Sequence, residues 1–292
     1  MNRDRARGGL AWAVVCLAAL AFLAGCGQKS RVSHKKRIFS PPPPKNTVLD
    51  DLRSHAKDIK HEGVVNKQLV RFLVGQRMYV LALHHIENLP KKDRKSPEVI
   101  FLKGFALREL GRYDEAVEAL KAASNSQRDY AQAWNALGIT YDLMRSSEEA
   151  EEAYMEALRI NPSSSKYLNN LGFSHFSRGN YNPAVELYQK ALASDPHNVQ
   201  IHNNLGFAYG MLGRYPEAIS EFKQAGREEV VYNNLGFLYY MLGLNDEAKV
   251  MYAKALEINP QLRKARGNLR IIEGDGAMSG HIIGPELKGR IR

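Results

Sequence analysis

Small and apolar residues recur along the chain at fixed intervals. Gly104, Gly138, Gly172 and Gly206 stand 34 residues apart, and Gly236 follows after 30. Twelve residues beyond each glycine come Ala116, Ala150, Ala184, Ala218 and Ala248, and seven further on Ala123, Ala157, Ala191, Ala225 and Ala255. Leu137, Leu171, Leu205 and Leu235 precede the glycines, and Tyr141, Tyr209 and Tyr239 follow in a column that Leu107 and His175 interrupt. Self-similarity at this period predicts a stack of repeated units in place of a single folded core. Asn161-Pro162, Asp195-Pro196 and Asn259-Pro260 supply the turn former and the proline that close a helix.

The pattern resembles the tetratricopeptide repeat (TPR). Trp134, Leu137, Gly138, Tyr141, Ala150, Tyr154, Ala157 and Pro162 supply nearly its whole signature in one unit. The resemblance implies an all-α solenoid, a right-handed superhelix in which antiparallel helices A and B form each repeat. The glycine and the first alanine let A and B approach closely, the second alanine admits the next repeat, and residues such as Leu171, Tyr188 and Leu192 fill the seams. Repeats are expected at 97–130, 131–164, 165–198, 199–228 and 229–262. A degenerate first repeat is expected over 48–96, where Gly75, Tyr79 and Ala82 echo the pattern and residues 64–74 supply an A helix. Residues 263–273 read as the polar capping helix that a stack needs, and 274–292 as a flexible basic tail. The repeat at 199–228 is four residues short, about one helical turn, and is read as architecture.

Charge and cysteine content change the picture at the flanks. The net charge is +10 over 292 residues, but the basic excess lies before residue 48 and after residue 262, while 48–262 is slightly acidic. A nucleic-acid-binding fold would concentrate basic charge on its folded face, so that class is set aside. Cys16 and Cys26 are the only thiols, which excludes a disulfide framework and a cysteine zinc cluster. Arg3, Arg5 and Arg7 precede fifteen uncharged residues, 10–24, the order of a secretory signal and too short to span a bilayer comfortably. Leu23-Ala24-Gly25-Cys26 resembles the bacterial lipoprotein box. That resemblance implies cleavage after residue 25, lipid and an acyl chain such as palmitate on Cys26, and, with Gly27 in place of Asp, the periplasmic face of the outer membrane in a Gram-negative source. Residues 26–47 form a basic tether with no acid, ending in four prolines at 41–44, a stiff polyproline spacer. Its charge can touch anionic lipid or serve as a solvated leash.

In TPR proteins the A helices line a concave groove. Asn169-Asn170, Asn203-Asn204 and Asn233-Asn234 precede three successive Leu-Gly pairs. Asn170, Asn204 and Asn234 look like the groove asparagines of peptide-binding members, where an amide can pair with an extended backbone. The same amides can instead tie the stack together. Phe173, Phe207 and Phe237, with Phe176, Met211, Tyr240 and Met241 a few positions on, would line an apolar groove if they face inward. An aromatic stripe on a soluble helix is more often core. Leu143, Ser177, Met211 and Met241 stand where carboxylate-clamp members carry Lys or Arg, which argues against a free C-terminal carboxylate as ligand.

Nine histidines form no HExxH and no cysteine-paired metal set, and no GxSxG or GxxxxGK is present. His175 and His202 fall in core columns and read as packed side chains. No catalytic residue, metal, cofactor or small-molecule substrate is expected. The combination resembles the TPR pilotins of type IV pili and the TPR lipoprotein of tight-adherence (Flp) pili. That resemblance implies a scaffold binding an envelope protein during pilus or secretin assembly. The alternative is an adaptor that brings peptidoglycan enzymes or a protease to their substrates.

Overall fold

The structure, a computed structural model, describes residues 62–127 and 129–274. The expected signal segment, the lipidated Cys26, the tether, the start of the degenerate repeat and the tail beyond residue 274 lie outside the described residues. Those described form helices joined by short turns and fall into two compact units, 62–160 and 161–274.

In the first unit, α1 (Glu62–Gly75) and α2 (Tyr79–Glu87) form a hairpin, followed by the short α3 (Lys91–Arg94). Two further hairpins follow, α4 (Pro97–Glu109) with α5 (Tyr113–Ser126) and α6 (Ala131–Met144) with α7 (Ser147–Ile160). Ser96 starts α4, its hydroxyl accepting from the Val99 amide, and Pro97 at the first helical position gives up an amide that has no helical partner anyway. Val70, Leu73, Leu83 and Ile86 pack with Val99, Leu107 and Ala116 to make one apolar core out of the first two hairpins, α1–α2 and α4–α5.

The second unit repeats the arrangement. Helix α8 (Ser165–Ser177) pairs with α9 (Tyr181–Ser194), α10 (Val199–Met211) with α11 (Tyr215–Ala225), and α12 (Glu228–Met241) with α13 (Asn245–Ile258). A final α14 (Arg263–Glu273) lies against α13 and touches α12. Each unit is thus a stack of antiparallel helix pairs, the all-α solenoid architecture the sequence implies.

What sets the separation within each pair is the glycine column. A Cβ on Gly138 would stand 2.7 Å from the ring of Tyr154, on Gly172 2.8 Å from Tyr188, on Gly206 2.5 Å from Phe222 and on Gly236 2.7 Å from Tyr252. The B-helix ring therefore lies flat on bare A-helix backbone, and these four rings are fully or almost fully buried. Of the three tyrosines among these rings, Tyr154 finds a carboxylate for its hydroxyl, donating to Asp142 Oδ2 at 2.9 Å. The Tyr188 hydroxyl has no partner, because Phe176 occupies the position that Asp142 holds one repeat earlier. Burial pushes the Tyr188 phenol well above its ordinary pKa.

The turn from A to B is built identically in the five pairs from α4 to α13. The amides of Arg112, Ser146, Asn180, Arg214 and Leu244 donate to the carbonyls of Leu107, Tyr141, His175, Tyr209 and Tyr239, each at 2.9 Å. This is the longer bond of a Schellman turn, and it needs a left-handed residue just before the donor. Gly111, Gly179, Gly213 and Gly243 supply it, with Arg145 taking φ 65° in the remaining turn. The acceptors are the tyrosine column of the sequence. Its backbone carbonyl does the work, so Leu107 and His175 fit there as well as tyrosine.

Between α11 and α12 only Gly226 and Arg227 intervene, whereas four residues separate α9 from α10 and α13 from α14. In this part of the stack Gly210 is the tight point. A Cβ there would meet Leu238 at 2.3 Å. Leu238 is the one large residue in a column that otherwise holds Ala106, Thr140, Ser174 and Ala208, and it is fully buried.

Helix α14 lies in register with an A helix, its buried Ala265 and Asn268 standing 34 residues beyond the buried Val231 and Asn234. At the glycine position it carries Arg270. No B-helix ring could settle on that turn, so the stack closes here.

Candidate functional site

The A helices α8, α10 and α12 carry the side chains on which the groove reading rests. The structure joins the asparagines to one another. Asn204 Nδ2 donates to Asn169 Oδ1 at 2.9 Å, and Asn234 Nδ2 donates to Asn203 Oδ1 at 2.6 Å. The second amide of each pair thus reaches back to the first amide of the preceding A helix. Asn204 is 2% exposed and Asn234 0%. Asn170 is buried as well. Of the two roles open to these amides, the geometry realises the one internal to the stack, for a buried amide bonded to its neighbour cannot offer the same atoms to an incoming backbone.

The same holds for part of the phenylalanine column. Phe207 is 0% exposed and Phe237 2%. The Phe207 ring packs tilted on Phe222 with centroids 4.9 Å apart and edge-on to Phe237 at 5.6 Å, both favoured arrangements for aromatic pairs. Phe176 is buried against Tyr181 at 5.4 Å. These three rings are core. Phe173, Met211, Tyr240 and Met241 differ, each only partly buried on its A helix, Tyr240 also packing against the core around Tyr252. Removing the Asn204 side-chain amide tests the ladder. Asn204→Ala leaves Asn169 Oδ1 buried without its donor, with an expected loss of about 1–3 kcal/mol in urea unfolding. Asn204→Asp, which sets acceptor against acceptor, is expected to cost at least as much.

Two arrangements emerge only in the folded chain. His202 Nδ1 lies 2.6 Å from Glu221 Oε2 and Nε2 lies 2.9 Å from the Pro196 carbonyl. The corresponding A-helix column elsewhere holds Ile100, Trp134, Leu168 and Tyr232, so a polar clamp replaces apolar packing in this one pair. The signal for it was the Glu at 221, nineteen residues on, where the other repeats place Ala119, Ala153, Leu187 and Met251. The second feature is a shallow cavity of about 400 Å³ in the first unit. It is lined by Arg71, Glu98, Phe101, Leu102, Gln127 and Tyr130 among others. Arg71 and Glu98 form an ion pair at its edge, and Phe101 and Tyr130 stack at 5.2 Å. Its two charges satisfy each other.

Among the described residues no group of three or more His, Cys, Asp or Glu side chains could hold a metal ion, and no helix is long and apolar enough to cross a membrane.

Comparison with known proteins identifies the repeat type. Residues 174–213 match the family described as TPR repeat, residues 230–262 the tetratricopeptide repeat, and residues 73–184 the N-terminal TPR repeats region of Psidin. No curated protein matches the chain. The crystal structure of a tetratricopeptide repeat protein from Parabacteroides merdae is similar with a TM-score of 0.57 at 15% identity, covering 77% of this chain and 90% of that one. TTC0263, a thermophilic TPR protein of Thermus thermophilus, gives a TM-score of 0.48 at 23% identity over 61% of this chain and 99% of its own. YrrB, described as a TPR protein with an unusual peptide-binding site, gives 0.46 at 18% over 60% and 93%. At 15% identity the likeness to the Parabacteroides merdae protein shows the fold alone, a TPR-type helical solenoid.

Proposed function

We propose that this chain, a TPR-type solenoid, is a periplasmic scaffold held at the outer membrane by lipid on Cys26, which binds another envelope protein and assists assembly of a pilus or secretin. The fold supports a binding role, since a stack of helix pairs presents repeated side chains along a surface without enclosing a reactive centre. The observation that carries the reading is the row of half-exposed apolar side chains on successive A helices of the second unit: Phe173 on α8, Met211 on α10, and Tyr240 and Met241 on α12. Apolar side chains left partly in water on successive helices of one stack fit a protein contact, and flexible methionines adapt to partners of varied shape. The buried asparagines and Phe207 then hold that row in place from below.

Photo-crosslinking in cells tests this. A crosslinker at Met211 is expected to capture one discrete envelope protein, while one at the exposed Lys223 on α11 captures none. A pilus or secretin component supports the assembly role, and a wall hydrolase moves the protein to the adaptor class. Equal capture from both positions removes the A-helix surface as the contact. Cys26→Ser is expected to shift the protein from the membrane to the soluble fraction, and membrane retention of that variant would refute the anchor.

A further inference from the structure

Helix α14 carries Arg263, Arg266 and Arg270, all exposed, at intervals of three and four residues, which places them on one stripe of the helix. The opposite side is committed to the stack, with Ala265 and Asn268 buried and Leu269 and Ile272 packed beside Tyr252 and Ala255. Five arginines elsewhere in the described residues are neutralised. Arg71, Arg108, Arg112, Arg159 and Arg214 each pair with a glutamate. Arg263 and Arg270 make no ion pair among the described residues, and Arg266 donates to the Pro260 carbonyl at the end of α13, which leaves its charge uncompensated. Glu273 closes the stripe without pairing to Arg270. Lys264 lies off to the side, half-buried, and burial pulls its ammonium below the ordinary lysine pKa.

Helix stability does not account for this arrangement. The first turn of α14 holds Arg263 and Lys264 and no acid, the wrong sign for the positive end of a helix dipole. Like charges three and four residues apart also oppose the helix that carries them. A capping helix needs a polar outer face, and an even mixture of charges would supply it. Three arginines on one stripe, kept at a cost to their own helix, fit an external layer of negative charge.

We infer that the arginine stripe of α14 is a docking surface for an anionic membrane, engaging lipid phosphates. Guanidinium groups bind phosphate oxygens in a planar fork, and each arginine brought near an anionic surface strengthens association about five- to tenfold. The surface goes beyond the scaffold reading but draws on its placement of the protein at a bilayer. It gives the folded stack a second contact with the membrane, far along the chain from the expected lipid.

The test removes the anchor. The chain from residue 26 onward with Cys26→Ser, and with the six basic residues of the tether replaced by glutamine, is sedimented with vesicles containing phosphatidylglycerol or with pure phosphatidylcholine vesicles. Binding is expected to the anionic vesicles only and to fall as salt rises. Replacing Arg263, Arg266 and Arg270 by glutamine should weaken it about a hundredfold, and replacing them by lysine should restore most of it, with thermal unfolding unchanged in both variants. Equal binding to both vesicle types, full binding by the glutamine variant, or a preference for duplex DNA over vesicles at the same salt overturns the inference. Because the anchor is absent throughout, none of these outcomes bears on the Cys26 reading, which stands or falls on its own fractionation.

Discussion

Gly210→Phe is expected to destabilise the second unit by about 3 kcal/mol. The backbone of α10 at this residue lies so close to α12 that even a methyl group would stand 2.3 Å from Leu238, and Leu238 is fully buried with nowhere to retreat. One repeat earlier the same two columns hold Phe176 and Ala208, both buried, with the large and small residues exchanged. The double variant Gly210→Phe with Leu238→Ala therefore recreates a combination the chain already uses and should recover most of the loss. Leu238→Ala alone should cost about 2–5 kcal/mol through the cavity it opens. Urea unfolding of the four proteins forms a double-mutant cycle, with an expected coupling of roughly 2 kcal/mol. Additive losses would mean that the two columns do not fit as a pair.

The second large effect is at Phe207. Its ring is wedged between Phe222 of the same hairpin and Phe237 of the next, so Phe207→Ala should lower stability by about 3–5 kcal/mol. Phe173, one repeat earlier in the same column, is half-exposed. Phe173→Ala should cost under about 1 kcal/mol and instead reduce partner capture from the Met211 crosslinker. The two substitutions separate core from contact within a single sequence column. A Phe207→Ala protein of unchanged stability would return that ring to the groove, and a Phe173→Ala protein with undiminished capture would take its neighbour out of it.

This pair shows how far the sequence could be read. The 34-residue columns reveal the repeat because they record contacts every hairpin makes: glycine under a ring, alanine at a crossing, a carbonyl closing the turn. They cannot say which side of a helix a neighbour covers, because Phe173 and Phe207 are the same letter at the same offset. The asparagine pairs were legible as a column, but their bonding runs from one repeat to the next, with the second amide of one meeting the first amide of its predecessor. Aligning repeats on themselves hides that offset. The second glycine column, Gly111, Gly179, Gly213 and Gly243, is broken in the sequence by Arg145, and only the left-handed backbone at all five positions explains why an arginine can stand in. His202 and Glu221 lie nineteen residues apart on partner helices, so each looks like an isolated substitution until the hairpin closes and brings them to 2.6 Å.

Arg270 bears on how a protein like this can lengthen. A gene acquires repeats by duplication, and a copy appended after α14 would have to lay its ring on a turn already filled by an arginine stem. Growth at that end is blocked until residue 270 reverts to glycine. Duplication inside the array meets no such obstacle, since each interior hairpin offers glycine to the ring that follows. Chains descended from a common ancestor with this one should differ in the number of interior hairpins and keep α14 after the last pair described.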